Sequence, residues 1–264
     1  GLTLKAHNIP YVISLRGGDV PGLVPEINFI HWLITPLRRK VLSKAAATIA
    51  NAKGLADLSE KADPTPVKVI PNGVDTTFFT ESTKERSPSH TQFLFVGRFH
   101  PQKNLKCLLE QFQILKSKSQ KSFTLHLVGH GPLEQDLKKL AKSLDIEDDL
   151  VWHGWMNKEE LKELHQTSDI FINPSHYEGL PNAVLEAMAS GLIIIVSDVP
   201  GNNDLITKDC GYTYPIDSPS ELYLKLEQAH ETPNMTYGKN ARRRALETYS
   251  WDHVAKSYAD LFKT

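Results

Sequence analysis

The sequence predicts an α/β fold with two domains, each built on a parallel β-sheet. Three observations support this prediction. Apolar strand patterns alternate with amphipathic helix patterns along nearly all of the 264 residues, as is typical of parallel sheets with helices on their faces. A polar stretch at residues 80–92 lacks hydrophobic periodicity and separates two such runs. The longest apolar run, residues 192–196, suits a buried parallel strand and is too short to span a membrane.

The first run of the alternation contains a long helix pattern at about residues 26–45 and three short strands. The chain starts with Gly1, without an initiator Met or a signal-peptide pattern, almost directly before a strand. We therefore predict that residues 1–85 are the C-terminal part of an incomplete Rossmann-like domain. Its strand patterns are bounded by turn residues and lie at 10–15, 47–50 and 67–70.

The second run repeats a strand–helix unit. Leucine and phenylalanine recur at helical spacing after the first two strands, which gives amphipathic helices that cover a sheet. We predict a doubly wound, Rossmann-like domain over residues 86–248 and a terminal helix over 249–264. The strand patterns lie at 93–97, 123–129, 150–154, 169–175 and 192–197, and three closing helix patterns lie near 219–231, 235–248 and 251–263.

The composition excludes several functional classes. The chain has 30 Lys and Arg against 31 Asp and Glu, and no basic stripe that would favour nucleic acid. Cys107 and Cys210 are far apart and outside any C-x-x-C motif, so neither a disulfide framework nor a thiolate metal site is indicated. We interpret both cysteines as reduced, which favours a cytoplasmic location.

The stretch "HYEGLPNAVLEAMASG" at residues 176–191 carries the clearest chemistry. Pro181 suits the first position of a helix, and the free N–H groups at its N-terminus would favour a phosphate. Gly179 allows close approach of the backbone. Glu186 lies one turn after Asn182 on the same face, where its two oxygens suit the vicinal hydroxyls of a ribose.

Other charged residues indicate what else the predicted site would bind. Glu178 precedes the helix and would meet what lies beyond a bound diphosphate, for which a sugar is the natural candidate. Arg98 and Lys103 follow the strand at 93–97 and could neutralise the diphosphate. Either cation could instead be an ordinary surface charge, and Glu186 could point to solvent.

Five motifs in a fixed order resemble the retaining glycosyltransferases of family 4, which have the GT-B fold. They are "IPNGVD" (70–75), "VGRFHPQKNL" (96–105), "LVGHGPLE" (127–134), "VWHGWM" (151–156) and the stretch from Glu178 to Glu186 with its trailing "ASG". The resemblance covers roughly residues 10–262. It implies a nucleotide-sugar donor bound by the second domain and a last helix that crosses back to the first.

The resemblance also implies individual roles. Arg98 and Lys103 would hold the diphosphate, Glu178 would contact the donor sugar, and Glu186 would bind the ribose. The implied catalytic residues are Glu178, Arg98 and Lys103. The phosphate site would be completed by the backbone of Gly179 and Leu180, with Pro181 and Asn182. The nucleoside pocket would be lined by Gly129, Gly131, Trp155 and Met156.

The largest departure from the family pattern is the expected incompleteness of the first domain, and the chain also departs at two places in its sequence. Arg16, Gly17, Gly18 and Asp19 stand where many members have His-Gly, and they are the acceptor-side candidates. Arg16 could engage an anionic acceptor or the donor phosphate, or have no catalytic meaning. Asp204 replaces a customary Glu and receives no role.

The resulting hypothesis is a metal-independent transferase that retains the anomeric configuration and needs no cofactor. The chain contains no D-x-D motif, and no G-x-G-x-x-G motif. A UDP-sugar is favoured over a GDP-sugar, and the acceptor would be a glycan or a lipid-linked glycan. Two alternatives stay open: a truncated, non-catalytic module that binds a nucleotide sugar and, less favoured, a GT-B sugar-nucleotide epimerase.

Four cations in "LRRKVLSKAAA" at residues 37–47 lie on a predicted helix. They suggest peripheral contact with the inner face of a membrane, although a cationic helix face is more often simply solvated.

Overall fold

The fold is α/β with two parallel sheets, as the sequence predicted. A computed structural model describes residues 9–82 and 87–263. The first sheet has three strands in the order β1-β2-β3, all parallel. Its elements are β1 (Val12–Leu15), α1 (Asn28–Leu42), β2 (Ala47–Ala50), α2 (Lys53–Ala62) and β3 (Val67–Val69).

The second sheet has six parallel strands in the order β6-β5-β4-β7-β8-β9. The chain first adds strands on one side of β4 and then returns to add them on the other side. The sheet therefore has a topological switch point between β4 and β7, the place where ligands bind in open parallel sheets. The strands are β4 (His90–Val96), β5 (Ser122–Val128), β6 (Leu150–Gly154), β7 (Ile170–Asn173), β8 (Ile193–Ser197) and β9 (Tyr212–Tyr214).

Helices cover both faces of the second sheet. Alternate residues of β4 point to opposite faces: Phe93 and Phe95 pack in one apolar cluster with Phe112, and Leu94 packs in another with Val184. The helices of this half are α3 (Leu105–Lys118), α4 (Glu134–Ser143), α5 (Lys158–Thr167), α6 (Asn182–Ala189), α7 (Pro200–Leu205), α8 (Pro219–Glu231) and α9 (Met235–Arg244). The last helix, α10 (Trp251–Lys263), packs on the first sheet.

The structure differs locally from the sequence-based expectations. Strand β9 and helices α2 and α7 were not predicted. Strand β9 and helix α7 are too short to show a periodic pattern, whereas the ten residues of α2 were overlooked between two short strands. The helix predicted at 235–248 is α9 followed by a π-helical segment, Ala245–Tyr249. Helix α6 begins at Asn182, so Pro181 precedes the first helical residue instead of being that residue.

The last part of the chain packs on the first sheet. Val254 of α10 lies in a small apolar cluster with Ile49 and Ile70. The backbone N–H of Val74 donates to Tyr249 at 2.8 Å, and that of Trp251 donates to Val74 at 3.2 Å. The predicted domain division near residue 85 falls at residues 83–86, outside the described residues, and stays a prediction.

A second contact joins the two halves at the start of α2. The N–H of Gly54 donates to the Asp204 carboxylate at 3.2 Å, and a Cβ on Gly54 would lie 2.4 Å from Cβ of Pro200. Burial raises the pKa of Asp204, although the N–H groups of Gly54 and Lys53 lower it. Asp204, which received no role from the sequence, therefore caps a helix of the opposite half.

Candidate active site

The loops that follow β4 and β7 meet at the carboxyl edge of the second sheet. These strands are neighbours, so loops that are remote in sequence emerge side by side. The Gln102 side-chain amide donates to the carbonyl of Tyr177 at 2.8 Å, and the His176 N–H donates to the carbonyl of Gln102 at 2.8 Å. The predicted cations and the predicted carboxylate Glu178 are thereby held at one place.

Lys103 and Glu178 form a largely buried ion pair. The Lys103 Nζ lies 2.6 Å from Glu178 Oε1, and the two side chains are only 16% and 9% exposed. The Asn173 amide donates to the same carboxylate oxygen at 3.2 Å. An ion pair that is shielded from water in this way fixes both side chains.

A buried polar network holds Asn173, which in turn donates to Glu178. Asn173 also donates to Asn202 at 3.1 Å, and Asn202 donates to the carbonyl of Ser197 at 3.0 Å. Ser175 donates to Asn173 at 2.8 Å. Sequence reasoning missed this network, although the polar residues of "INPS" directly after a buried strand were a signal that it could have used.

Arg98 is exposed at the same edge. Within the described part of the chain its guanidinium makes no hydrogen bond or ion pair. Its charge lowers the pKa of Tyr177 while burial, the larger effect, raises it, so Arg98 lies near the loop that carries Glu178. An exposed cation without a partner among the described residues, close to this loop, is suited to a charged ligand.

The N-terminus of α6 presents unused hydrogen-bond donors. Among the described residues, the backbone N–H groups of Gly179, Leu180, Asn182 and Ala183 have no partner. Pro181 has extended backbone and its carbonyl accepts from Leu185 at 3.3 Å. These donors and the helix dipole make a site for an anion. The Leu180 side chain is buried in the core.

Glu186 lies one turn into α6. No described residue hydrogen-bonds its side chain. Burial raises its pKa to about 7, and the positive charge of Lys158 partly opposes this rise. A carboxylate held in a poorly solvated place without a partner is suited to receive hydroxyl donors.

The predicted nucleoside pocket is built on close contacts between backbones. A Cβ on Gly129, whose φ is +123°, would lie 2.1 Å from the Gly97 carbonyl oxygen, and one on Gly131 would lie 2.4 Å from that of Phe99. Only glycine fits at either position. After β6, Trp155 is 75% exposed and Met156 packs against the core. Lys158, whose charge lowers the pKa of Glu186, is the first residue of α5.

Arg16 lies at the seam between the two sheets. Its guanidinium donates to Asn72 and, at 3.1 Å, to the hydroxyl of Tyr258 in α10. The Asn72 amide donates in turn to Asn182 at 2.9 Å and to the Leu180 carbonyl at 3.1 Å. Arg16 is thus connected through Asn72 to the N-terminus of α6, a connection that sequence reasoning missed because its partners are distant in sequence.

The loop around Arg16 touches the loop of Glu178. A Cβ on Gly179 would lie 2.5 Å from the Arg16 carbonyl oxygen. The Asp19 carboxylate accepts from the N–H groups of Arg16 at 3.0 Å and Gly17 at 2.7 Å, so it shapes the loop. Gly18 contributes its carbonyl to His31 Nε2 at 3.0 Å.

The described residues contain no group of three or more His, Cys, Asp or Glu side chains placed to hold a metal ion. They also contain no helix with the length and apolar character needed to cross a bilayer.

Two parallel sheets with this seam between them define the GT-B fold, which is common among glycosyltransferases. Residues 78–244 match the family described as glycosyl transferases group 1, and residues 1–78 match Glycosyltransferase Family 4. The chain therefore belongs to the glycosyl transferases group 1.

Solved structures agree on the fold. The chain is similar over its whole length to sucrose-phosphate synthase from Thermosynechococcus elongatus, with a TM-score of 0.86, 21% identity and 70% of that chain covered. It is similar over its whole length to Anabaena HepE in complex with UDP and glucose, with a TM-score of 0.83, 18% identity and 74% covered.

Two curated relatives illustrate the sequence similarity. An Escherichia coli UDP-Gal:alpha-D-GlcNAc-diphosphoundecaprenol alpha-1,3-galactosyltransferase is 35% identical over 158 residues, which is 56% of this chain and 40% of that protein. A Xanthomonas oryzae GDP-mannose:cellobiosyl-diphosphopolyprenol alpha-mannosyltransferase is 27% identical over 98% of this chain and 69% of its own length. The chain thus spans well under the full length of its curated relatives.

Proposed function

We propose that the protein transfers a sugar from a nucleoside-diphosphate sugar to a glycan or lipid-linked glycan acceptor, with retention and without a metal ion or cofactor. One observation carries the proposal. At the switch point, Lys103 pairs with Glu178, the exposed Arg98 lies near the same loop, and the N–H groups at the start of α6 are unpaired among the described residues. We favour a UDP-sugar over a GDP-sugar, because the E. coli relative is named for UDP-Gal and HepE is described with UDP.

The cations would stabilise the leaving diphosphate. Arg98, Lys103 and the N-terminus of α6 are fixed donors, and preorganised donors stabilise charge that develops in the transition state. Glu178, held by Asn173, would orient the donor sugar. Glu186 would accept hydroxyl groups of the ribose. Gly129, Gly131, Trp155 and Met156 are the proposed lining of the nucleoside pocket.

Retention would follow from attack on the face that the diphosphate leaves. The bond between the anomeric carbon and the phosphate oxygen breaks, the acceptor oxygen bonds to that carbon, and the acceptor proton passes to the departing phosphate oxygen. No protein nucleophile is assigned. A glycosyl adduct trapped on any side chain would contradict this mechanism.

A second candidate is a module that binds the donor without transfer. It is favoured by the small first sheet, which has three strands in the described part of the chain. The acceptor-side candidates Arg16, Gly17, Gly18 and Asp19 belong to this small sheet. The two candidates differ only in whether product forms.

Calorimetric titration with UDP, GDP and ADP tests the donor site. We expect one nucleotide to bind, UDP first, and both Lys103→Ala and Glu186→Ala to weaken it. The matched controls are Lys106→Ala and Glu163→Ala, at exposed positions of α3 and α5. Equal nucleotide affinity in the unaltered protein and all four variants would contradict the proposed donor site.

Transfer is tested separately with a polyprenol-diphosphate-linked glycan as acceptor. We expect product of the same anomeric configuration as the donor, in the presence of a chelator, and about a hundredfold slower turnover in Lys103→Ala. Inverted product or dependence on an added metal ion would refute the mechanism. Nucleotide binding without product would favour the binding module.

The named acceptors of the E. coli and Xanthomonas relatives are linked to polyprenol diphosphates. They support a lipid-linked acceptor for this protein too. We propose that the protein acts in the cytoplasm, in peripheral contact with the inner face of a membrane.

A further inference from the structure

Helix α1 has its polar side turned inward. His31 is buried against the Gly18 carbonyl, and Thr35 donates to the carbonyl of His31 at 2.8 Å. Arg38 reaches the buried Asp63 at 2.6 Å. A surface helix of a globular protein normally turns its apolar side to the core, so this orientation is reversed.

The outward side of α1 is apolar and includes two aromatic rings. Phe29 and Trp32 stack with their ring centroids 5.9 Å apart. A contiguous exposed patch of this kind marks an interaction surface. Six large apolar side chains, each between 42% and 70% exposed, form the outer face of α1: Phe29, Ile30, Trp32, Leu33, Ile34 and Leu37.

Cations outnumber carboxylates next to the outer face of α1, where Glu26 precedes the helix and Asp63 pairs with Arg38 and Arg39. Residues 28–47 contain four cations and no Asp or Glu. Arg39, which pairs with Asp63, remains 57% exposed, and Lys40 is exposed without a partner among the described residues. Aromatic and aliphatic side chains flanked by Lys and Arg characterise helices that lie in the surface of an anionic bilayer.

A second copy of the chain fits this surface less well. Two copies joined through the outer face of α1 would bring together two segments that each carry an excess of positive charge, because Asp63 and Glu26 offset only part of the four cations. An anionic lipid surface supplies the missing negative charge and also takes up the apolar side chains.

We propose that the outer face of α1 docks on an anionic bilayer, with α1 lying in the interfacial plane. This inference deepens the proposed function and rests on it only for the lipid-linked acceptor. The contact between His31 and Gly18 joins α1 to the loop of residues 16–19, which touches Gly179 of the proposed donor site. Docking through α1 therefore brings the acceptor-side loop to the bilayer.

Vesicle co-sedimentation tests the proposal. The purified protein is mixed with vesicles of phosphatidylcholine and phosphatidylglycerol in equal parts, or of phosphatidylcholine alone. We expect binding to the anionic vesicles, weakened about tenfold by Phe29→Ser or Trp32→Ser and about fivefold by Lys40→Gln. The control is Phe262→Ser in α10, whose ring is 70% exposed, and it should bind like the unaltered protein.

Three results would overturn the proposal. In the first, Trp32→Ser and Phe262→Ser bind the anionic vesicles equally well. In the second, the unaltered protein binds both vesicle types equally well. In the third, the protein dimerises without vesicles and Trp32→Ser abolishes the dimer. Calorimetry with UDP separates the two proposals, because Trp32→Ser lies outside the donor site and should keep its nucleotide affinity. Vesicle binding without nucleotide binding would leave the docking inference standing and remove the proposed function.

Discussion

Lys103 already has an anionic partner within the protein. Its ammonium lies 2.6 Å from Glu178, so a diphosphate that binds Lys103 must compete with a carboxylate fixed by Asn173. Glu178 therefore has two opposing effects in the proposed site: it orients the donor sugar and it weakens the hold of Lys103 on phosphate.

Glu178→Gln should tighten the binding of a nucleoside diphosphate roughly tenfold, because the ammonium loses a charged competitor. The same change should slow sugar transfer. Calorimetry with UDP gives the affinity, and Glu81→Gln, which alters a half-exposed carboxylate near Arg242, is the control. Unchanged or weaker binding in Glu178→Gln would show that Lys103 does not meet the phosphate.

Glu186 gives the protein a pH-dependent stability. Its pKa is about 7 in the folded protein against 4.5 as the ordinary value. The unfolded chain therefore loses this proton at lower pH than the folded one. The contribution of Glu186 to stability is full below pH 4.5 and falls as the pH rises towards 7.

Glu186→Gln should consequently stabilise the protein at pH 8 by about 1 to 3 kcal/mol and have little effect near pH 4.5. Urea unfolding at the two pH values measures the difference. Glu163→Gln, at an exposed position, should show no such pH dependence. Equal stability of Glu186→Gln and the unaltered protein at pH 8 would mean that the carboxylate is well solvated.

At the scale of elements, the N-terminus of α6 is held from the opposite half of the molecule. Asn72, in the loop after β3, donates to both Asn182 and Leu180 and accepts from Arg16. The donors that would bind phosphate thus depend on a side chain that need not touch the ligand.

A double-mutant cycle distinguishes the roles considered for Arg16. If Arg16 acts through Asn72, Arg16→Ala should weaken UDP binding about fivefold in the unaltered protein. The same change should not weaken UDP binding further in Asn72→Ala, which corresponds to a coupling free energy of about 1 kcal/mol. If Arg16 contacts the phosphate directly, its loss should cost the same in both backgrounds. Calorimetry measures all four proteins, and Arg16→Lys should not restore the coupling because it lacks the planar fork.

The sequence predicted long periodic elements well and short ones poorly. Strands β1 to β8 and most of the amphipathic helices follow from alternation and helical spacing, but the ten-residue helix α2 was missed. Three-residue β9 lies between Gly211 and Pro215, too short to show any period. Asn173 and Asn202 escaped prediction for a different reason: their hydrogen bonds join residues 29 positions apart, and no local pattern reports such a partner.

Motif order predicted Arg98, Lys103, Glu178 and Glu186 as residues of the candidate site, and their function stays a prediction. It could not show that Lys103 is paired while Arg98 is exposed, since this difference arises from the packing of two loops. The reversed orientation of α1 was equally hidden, because an apolar stripe alone does not reveal which way a helix faces.

At the scale of the whole molecule, α10 fastens the end of the chain to the first sheet. Val254 is buried between Ile49 and Ile70, and the cluster is small. The three-stranded sheet therefore depends on a helix from the far end of the sequence.

Val254→Ala should lower the free energy of unfolding by about 2 kcal/mol, because it removes buried methyl groups from this cluster. It should also make the first sheet more sensitive to limited trypsin cleavage, with Lys68 of exposed β3 as the nearest target. Urea unfolding and mass spectrometry of the fragments measure both effects. Leu224→Ala, at an exposed position, is the control; equal cleavage in both variants would mean that α10 does not support the sheet.

The pairing of Lys103 with Glu178 has a consequence for the order of events during synthesis. The two residues are separated by 75 positions, and between them the chain must complete two strand–helix units on one side of β4 before β7 can add on the other. Contacts of such long sequence separation form late, since the loop between them must first be closed. A ribosome-bound chain that stops before β7 would have both cations and no capacity to bind nucleotide, so nucleotide affinity would arise only once this long-range contact is made.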